Sequence, residues 1–353
     1  MELKKLRKRI DLLDKKLVEI INQRVKIALE IAQIKRKKGL SFYSPEREAQ
    51  VLKRIKKLNP GVIPDETLEF LFTQIMSVTF SLSSPLKIGY LGPEATFTHL
   101  AAIKKFGDKV KFLPYSDIPS IFWAVENKEV DFGVVPIENS TEGVVTHTLD
   151  MFIDSDLNIC SEVVLKVIHH LLGNTTLKKI KKVYSHPQVF SQCRNWLQKH
   201  LSSKELIPTP TTAKAAQIIQ KKKDSACIAS EACAKLYNLK VLVKNIQDSS
   251  GNITRFLVIG QYLTKPSGDD KTSILFSVKD RVGALHDMLV PFKKYRINLT
   301  KIESRPSKRK AWEYYFFVDF QGHREDKRVK LALKELEKKC NFLKILGSYP
   351  RLT

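Results

Sequence analysis

Apolar residues recur along the start of the chain at alternating spacings of four and three. This spacing predicts one long helix, from about Glu2 to about Lys38, with an apolar stripe along one side. The apolar positions of the stripe are Leu6, Ile10, Leu13, Leu17, Ile20, Ile27, Ile31 and Ile34. Position 24 also falls on the stripe, yet it is an arginine.

Arg24 keeps its charge, so its place on an apolar stripe requires an anion close by. The anion is either a carboxylate of the protein or a ligand. Lys35 lies further along the same side of the predicted helix. This second cation favours a negatively charged ligand.

Two shorter helices follow the first one. Ser44-Pro45 begins the second helix, since proline suits the first helical position, and Asn59-Pro60-Gly61 ends it. Pro64-Asp65 begins the third, which reaches about Ser83. Three helices of unequal length do not cover the stripe, so we expect residues 1–84 to form an all-α domain that associates with a second copy.

The pattern changes to alternating strands and helices over residues 86–262, which is typical of an α/β domain. Residues 271–353 are predicted to run strand, helix, strand, strand, helix, strand. That order is typical of a ferredoxin-like α+β domain. The predicted fold class is therefore multidomain: all-α, then α/β, then ferredoxin-like α+β.

The net charge of +24 suits nucleic acid, an anionic surface or small anionic substrates. The lysines are dispersed over predicted helix faces without interleaved aromatic residues, so we expect no nucleic-acid partner. No apolar run is long enough to span a bilayer, and we expect no membrane association. The five cysteines are an odd number without a C-x-x-C pair, which favours reduced thiols in a cytoplasmic protein with no metal site.

Arg7 and Arg24 lie about 25 Å apart on a straight helix, at about 1.5 Å per residue. One small ligand contacts both only if two chains run antiparallel and each site takes Arg7 from the second copy. The second helix can return Arg47 and Glu48 to the region of Lys35. One guanidinium group can donate two parallel hydrogen bonds to a carboxylate. A pocket with several arginines therefore suits a substrate with two carboxylates.

A set of short motifs in the helical segment resembles a known family. The motifs are Leu6-Arg7, Asn22-Gln23-Arg24, Lys35, Pro45-Glu46-Arg47-Glu48 and Ile75-Met76-Ser77. They resemble the all-helical chorismate mutase domain, an intertwined dimer that binds chorismate by its two carboxylates. The resemblance implies that Arg24, Arg47 and the second copy's Arg7 hold these carboxylates. It further implies that Lys35 bonds the ether oxygen and Glu48 a substrate hydroxyl.

Two residues of the implied chorismate site depart markedly from the family pattern, and a third departs mildly. Ser44 stands where the family usually has Asp, and Ser83 where it has Gln or Glu; Thr79 replaces a Ser or Cys. A serine at position 83 reaches the ether oxygen only through a bridging water. Loss of one such donor costs on the order of 3 kcal/mol of transition-state stabilisation, so we expect a working but slow mutase with Lys35 as its catalytic cation.

Four short polar segments are predicted at strand ends or helix starts, where backbone N–H groups bind anions. They are Gly92-Pro93-Glu94-Ala95-Thr96-Phe97, Pro136-Ile137-Glu138-Asn139-Ser140-Thr141-Glu142-Gly143, Ser185-His186-Pro187-Gln188 and Asn252-Ile253-Thr254-Arg255-Phe256. The chain has no Gly-x-Ser-x-Gly elbow and no phosphate-binding P-loop, which argues against a serine hydrolase and a kinase. The segments suit binding of a carboxylated small molecule and delivery of one proton.

In this order the four segments resemble prephenate dehydratase over residues 86–262. That family folds as two α/β lobes with the site in the cleft between them. The resemblance implies that Thr254 is the catalytic hydroxyl, which protonates or hydrogen-bonds the leaving group. Arg255 either binds a carboxylate or braces the cleft. The implied prephenate-binding residues are Asn139, Ser140, Thr141, Ser185, Gln188 and Arg255.

Two motifs of the last segment, Gly283-Ala284-Leu285-His286 and Ile302-Glu303-Ser304-Arg305-Pro306, resemble the ACT domain attached to prephenate dehydratases. In that family the two motifs meet across a dimer interface and bind phenylalanine. The implied effector-binding residues are Gly283, Ala284, Leu285, Glu303, Ser304 and Arg305. The alternative is a small docking domain without a ligand.

The resemblances predict an enzyme without a cofactor that converts chorismate to prephenate and then to phenylpyruvate. They also imply inhibition by phenylalanine and a homodimer or dimer of dimers. One alternative is a prephenate dehydratase whose helical domain is a weak or inactive mutase that serves dimerisation. A second is a two-lobed metabolite-binding protein without catalysis.

Overall fold

The computed structural model of the chain describes residues 2–278, 281–306 and 314–352. The chain divides into two compact units. The first comprises Met1–Lys87 with Ile103–Lys111, and the second comprises Ile88–Ala102 with Phe112–Thr353. The multidomain class predicted from the sequence, with helical, α/β and α+β parts, is confirmed.

Three helices build the first unit: α1 Glu2–Lys37, α2 Pro45–Leu58 and α3 Asp65–Ser83. Their bounds agree with the predicted ones because helix period, proline and glycine act locally. α1 packs against α3 and buries Ala32. The eight apolar residues of the stripe remain between 48% and 64% exposed, so one copy of the chain leaves the stripe uncovered.

The second unit begins with a lobe built on one sheet. The lobe contains β1 Lys87–Leu91, α4 Phe97–Phe106, β2 Lys111–Tyr115, α5 Ile118–Glu126, β3 Phe132–Asn139, β4 Gly143–Val144, α6 Thr146–Asp154, β5 Asn158–Lys166 and β11 Ile253–Gly260. Within these elements, Lys87 and the residues from Ile103 to Lys111 belong to the first unit. Its strands follow the order β2-β1-β3-β11-β5, with β4 paired to β3. α5 and α6 pack on β3.

A second lobe lies in sequence between β5 and β11, so the chain passes between the lobes twice. It contains β6 His170–Gly173, β7 Lys182–Ser185, α7 Pro187–Gln192, α8 Arg194–Leu201, β8 Glu205–Pro208, α9 Thr212–Ile219, β9 Ser225–Ala229, α10 Glu231–Leu236 and β10 Lys240–Val243. The strand order is β10-β6-β9-β7-β8. Each lobe has a buried apolar core of its own.

Two of the four polar segments, which the sequence placed at strand ends, lie partly within the strands themselves. Strand β3 runs through Asn139, and β11 already begins at Ile253. β3 and β11 pair antiparallel, and Thr254 lies opposite Asn139. This pairing could not be predicted from the sequence, because the two strands are more than a hundred residues apart and the ends that pair are polar.

The last part of the second unit has the predicted ferredoxin-like order. It contains β12 Asp270–Ser277, α11 Ala284–Lys294, β13 Leu299–Pro306, β14 Tyr314–Gln321, α12 Lys327–Glu337 and β15 Phe342–Pro350. The sheet order is β13-β14-β12-β15, with antiparallel neighbours. The predicted start of the third strand, at Trp312, lies outside the described residues.

The ferredoxin-like sheet packs on the first lobe. Helices α11 and α12 cover one face, while Tyr315, Phe317 and Tyr349 of the other face share a core with the first lobe. A Cβ on Gly347 would lie 2.3 Å from the carbonyl oxygen of Ile159 in β5. Only glycine permits this approach of two backbones, so sequence and close packing together fix the sheet on the lobe.

Candidate active sites

Arg24 is half-buried, with its guanidinium carbon 5.9 Å from the centre of the Phe72 ring. Burial and the charge of Arg54 both lower the pKa of Arg24. The charge that acts on Arg24 is thus another cation, and an added anion would be favoured here. This surrounding fits a ligand-binding arginine better than one paired with a structural glutamate.

The other predicted chorismate residues fall into two groups. Arg7 and Arg47 are exposed. Lys35 is partly buried and its Nζ donates to the carbonyl oxygen of Phe42 at 3.1 Å. Glu48 is buried, and its Oε2 accepts a hydrogen bond from the Tyr43 hydroxyl at 2.8 Å.

Two of the three hydroxyl residues of the predicted chorismate site, Thr79 and Ser83, donate hydrogen bonds to their own helix. Thr79 is buried and donates to the carbonyl oxygen of Ile75 at 3.1 Å. Ser83 donates to that of Phe80 at 3.4 Å. Ser44 caps α2 by position, without a side-chain hydrogen bond to the helix. A ligand that bonds to Thr79 or Ser83 would have to replace their hydrogen bonds to the backbone carbonyl oxygens.

Thr254, the predicted catalytic residue of the dehydratase segment, is 9% exposed near the start of β11. Its Oγ1 accepts a hydrogen bond from Nδ2 of Asn139 at 2.7 Å. Because the hydroxyl oxygen is used as an acceptor, its own proton points away from Asn139. The geometry therefore prepares Thr254 to donate.

The polar segment around Asn139 is bonded mostly within the protein. Nδ2 of Asn139 also donates to Oδ1 of Asn252. Oδ1 of Asn139 accepts a hydrogen bond from the Thr141 hydroxyl at 2.6 Å. Ser140 donates to the carbonyl oxygen of Gly251 at 3.0 Å. These side chains, predicted to bind prephenate, are placed where they shape the loop and orient Thr254.

The remaining predicted prephenate residues also differ in their surroundings. Ser185 is fully buried and donates to the carbonyl oxygen of Ile228 at 2.8 Å, which is a structural contact. Gln188 is exposed at the start of α7, where His186 caps the helix. The structure therefore leaves Gln188 open to the solvent and Ser185 closed to it.

Arg255 was predicted either to bind a carboxylate of prephenate or to brace the cleft, and its contacts fit the brace. Its Nε lies 2.7 Å from Glu162 and its Nη2 2.7 Å from Asp319. Burial lowers the pKa of Arg255, but Tyr349, Asp319 and Glu162 raise it further than burial lowers it. A guanidinium held by two protein carboxylates has little capacity left for prephenate, so these contacts favour the bracing role. The place of Arg255 among the prephenate-binding residues stays a prediction.

Sequence reasoning missed Gln192, which bonds to residues of both lobes. Gln192 of α7 donates to the Thr141 hydroxyl at 3.3 Å and accepts from Asn252 at 2.9 Å, so it links the two lobes. The side-chain Oε1 of Gln192 also lies 2.8 Å from Nε2 of His169. The available signal was that Gln192 follows Gln188 by one helical turn, and therefore shares its side of α7.

In the ACT-like motifs, Glu303 and Arg305 of β13 lie on the sheet face opposite α11, whereas Ser304 lies on the same face as α11. Gly283 caps α11 with φ +74°. Glu303 and Arg305 pair with Phe317 and Tyr315, which face the first lobe. Arg305 binds Asp150 of α6 at 3.1 Å, while Ser304 is exposed. An effector site that combines Glu303 or Arg305 with the start of α11 therefore requires a second copy.

Among the residues that the structure describes, no group of three His, Cys, Asp or Glu side chains is arranged to hold a metal ion. Within the same ranges no helix has the length and apolar character needed to cross a membrane.

We predict that His169 makes the folded chain sensitive to acid. Burial lowers its pKa to about 4, although the bond to Gln192 raises it. The folded pKa is thus below the unfolded value, so stability is complete above about pH 6.5 and falls as the pH drops towards 4. Over this interval the free energy of unfolding should fall by about 1.4 kcal/mol for each unit of pH.

His169→Gln cannot take up a proton and should show a shallower acid dependence, measured by urea unfolding at each pH. His286→Gln, which changes an exposed histidine, is the control. An unchanged slope in His169→Gln would contradict the prediction.

Three family matches cover the chain in order. Residues 6–83 match chorismate mutase type II, residues 88–263 match prephenate dehydratase, and residues 272–338 match the ACT domain. A crystal structure of prephenate dehydratase in complex with L-Phe from Arthrobacter aurescens superposes with a TM-score of 0.70 at 32% identity, covering 75% of this chain and 90% of that one.

Two curated relatives extend over the full length. The bifunctional chorismate mutase/prephenate dehydratase of Aquifex aeolicus is 49% identical over 355 residues, which is 99% of this chain and 98% of the relative. The Pseudomonas aeruginosa protein of the same name is 46% identical over 357 residues, with 99% and 98% covered. The chain belongs to the bifunctional chorismate mutase/prephenate dehydratase family.

Proposed function

We propose that residues 1–84, 86–262 and 271–353 of this chain are a chorismate mutase, a prephenate dehydratase and a phenylalanine-binding domain. The chain converts chorismate to prephenate and prephenate to phenylpyruvate, and phenylalanine inhibits it. The observation that carries the dehydratase assignment is the Asn139–Thr254 hydrogen bond, which leaves the threonine proton free to assist a leaving group.

In the dehydratase reaction, the carbon–carbon bond to the ring carboxylate breaks and carbon dioxide leaves. Its electron pair moves into the ring, the bond to the ring hydroxyl breaks, and the ring becomes aromatic. Thr254 donates a hydrogen bond or a proton to the departing oxygen. Asn139 orients this hydroxyl, and Gln192 holds the lobes at the cleft where prephenate binds.

In the mutase reaction no nucleophile is needed, because bonds break and form within chorismate. Arg24 and Arg47 bind its carboxylates with Arg7 of a second copy, and Lys35 stabilises the charge on the ether oxygen. Support for the second copy comes from the exposed stripe of α1, which only another apolar surface would bury. We therefore assign a homodimer or a dimer of dimers.

A cytoplasmic location is part of the proposal. It is supported by the five cysteines, all of them free thiols, four of them buried. Burial raises the pKa of Cys193 to about 12, so this thiol stays protonated and inert at neutral pH.

Phenylalanine is proposed to act through Arg305, which connects the effector motif with the first lobe. Its contact with Asp150 reaches α6, and α6 packs on β3, the strand that ends at Asn139. A ligand that draws Arg305 away would therefore change the support of the catalytic strand pair.

Replacing Thr254 tests the two activities in one experiment. Thr254→Ala in the full chain, supplied with chorismate, should accumulate prephenate and form phenylpyruvate about 100-fold to 10,000-fold more slowly. Thr254→Ser keeps the hydroxyl and should retain much more activity. An unchanged phenylpyruvate rate would refute the role of Thr254, and absence of prephenate would favour a helical domain that serves only dimerisation.

Replacing Arg305 tests the route of inhibition. In Arg305→Ala the phenylalanine concentration for half-inhibition should rise about tenfold or more, because a charge-assisted contact is lost. Asp150→Asn should raise it as well if the arginine acts through α6. Arg328→Ala, on the exposed side of α12, is the control, and inhibition in Arg305→Ala like that of the parent would count against this site.

A further inference from the structure

Lys105 lies outside the chorismate mutase segment of the sequence but contacts a residue of the proposed mutase site. It belongs to α4 and to the segment that matches prephenate dehydratase. Residues Ile103–Lys111 nevertheless belong to the same compact unit as α1, α2 and α3. The Nζ of Lys105 lies 2.5 Å from Oε2 of Glu48, with 15% and 5% of the two side chains exposed.

The contacts of Glu48 give its carboxylate a defined orientation. Lys105 and the Tyr43 hydroxyl both bind Oε2, the latter at 2.8 Å. Oε1 is therefore the oxygen that remains for a ligand. A buried carboxylate without a cation and hydrogen bonds would be strongly disfavoured, so these two partners fix both its charge and its rotamer.

The segment after Lys105 is fitted closely onto α3. The ring of Phe106 is 1% exposed and lies 5.2 Å from that of Tyr43. Gly107 has φ +72°, and a Cβ there would lie 2.4 Å from Cβ of Ser77. The backbone N–H of Lys109 donates to Oγ of Ser77 at 3.0 Å. Lys105 is thus held by a packed, specific contact and is not a freely moving surface lysine.

We propose that Lys105 is a positioning residue of the chorismate mutase reaction. It holds Glu48 so that Oε1 accepts the hydrogen bond of the substrate hydroxyl. The inference rests on the proposed function, because the role of Glu48 comes from there. One cation on which the mutase site depends is accordingly encoded within the dehydratase segment, and a chain cut after residue 84 would lack it.

The test compares Lys105→Met with the parent, both as full chains, with chorismate as substrate. The hydroxyl contact exists in the bound ground state and in the transition state, so its loss should raise KM about tenfold or more and change kcat little. Lys105→Arg should recover most of the lost affinity. Lys109→Met removes the same charge from a side chain that is 57% exposed, and its mutase kinetics should equal those of the parent.

A double variant distinguishes positioning from a general loss of stability. In a Glu48→Gln background, Lys105→Met should raise KM no further, because the lysine acts through that carboxylate. A further rise of the same size, or a KM like the parent's in Lys105→Met alone, would overturn the inference. A parent chain without mutase activity would instead refute the proposed function of the helical domain.

Discussion

One buried arginine and the charges that neutralise it join the first lobe to the ferredoxin-like sheet. Arg255 has 14% of its side chain exposed and contacts two carboxylates at 2.7 Å each. The cluster consists of Arg255, Lys271, Lys301, Glu138, Glu162 and Asp319. Three cations face three carboxylates, so the group carries no net charge. This balance makes the burial of so many charges tolerable, whereas removal of one member would leave another uncompensated.

The position of this cluster connects the ferredoxin-like sheet with the strand that carries Thr254. Arg255 and Thr254 are neighbours in β11, and successive side chains of a strand point to opposite faces. Arg255 therefore meets Asp319 of β14 and Tyr349 of β15, while Thr254 meets Asn139. A shift of the ferredoxin-like sheet would move the strand that carries Thr254, the proposed catalytic residue. Packing of Gly347 against β5 restricts such shifts to small ones.

The parts of the fold that depend on local sequence could be predicted. α1 ends at Lys37, just before Gly39, and α2 begins at Pro45. Glycine favours the end of a helix and proline its first position, and both effects depend only on the local backbone. The pairing of β3 with β11 could not be predicted, since it joins residues far apart in the sequence. The same limit explains why Lys105 could not be assigned to the helical unit.

The candidate site was predictable in location but not in the role of each residue. The sequence motifs identified Asn139 and Arg255 as site residues. The sequence does not distinguish a polar side chain that binds a ligand from one that orients another residue. Only coordinates show that Asn139 is bonded to Thr254 and that Arg255 is enclosed by carboxylates. Gln188 and Gln192 lie one turn apart on α7, and it is Gln192 that contacts Thr141 of the first lobe.

The central claim is that the charge cluster positions Thr254, and Asp319→Asn tests it most directly. The variant keeps the shape of the side chain and removes one charge 2.7 Å from Arg255. Small displacements of a catalytic group reduce rates strongly, so the dehydratase rate on prephenate should fall about tenfold or more while the mutase rate on chorismate is unchanged. A dehydratase rate equal to that of the parent would contradict the account.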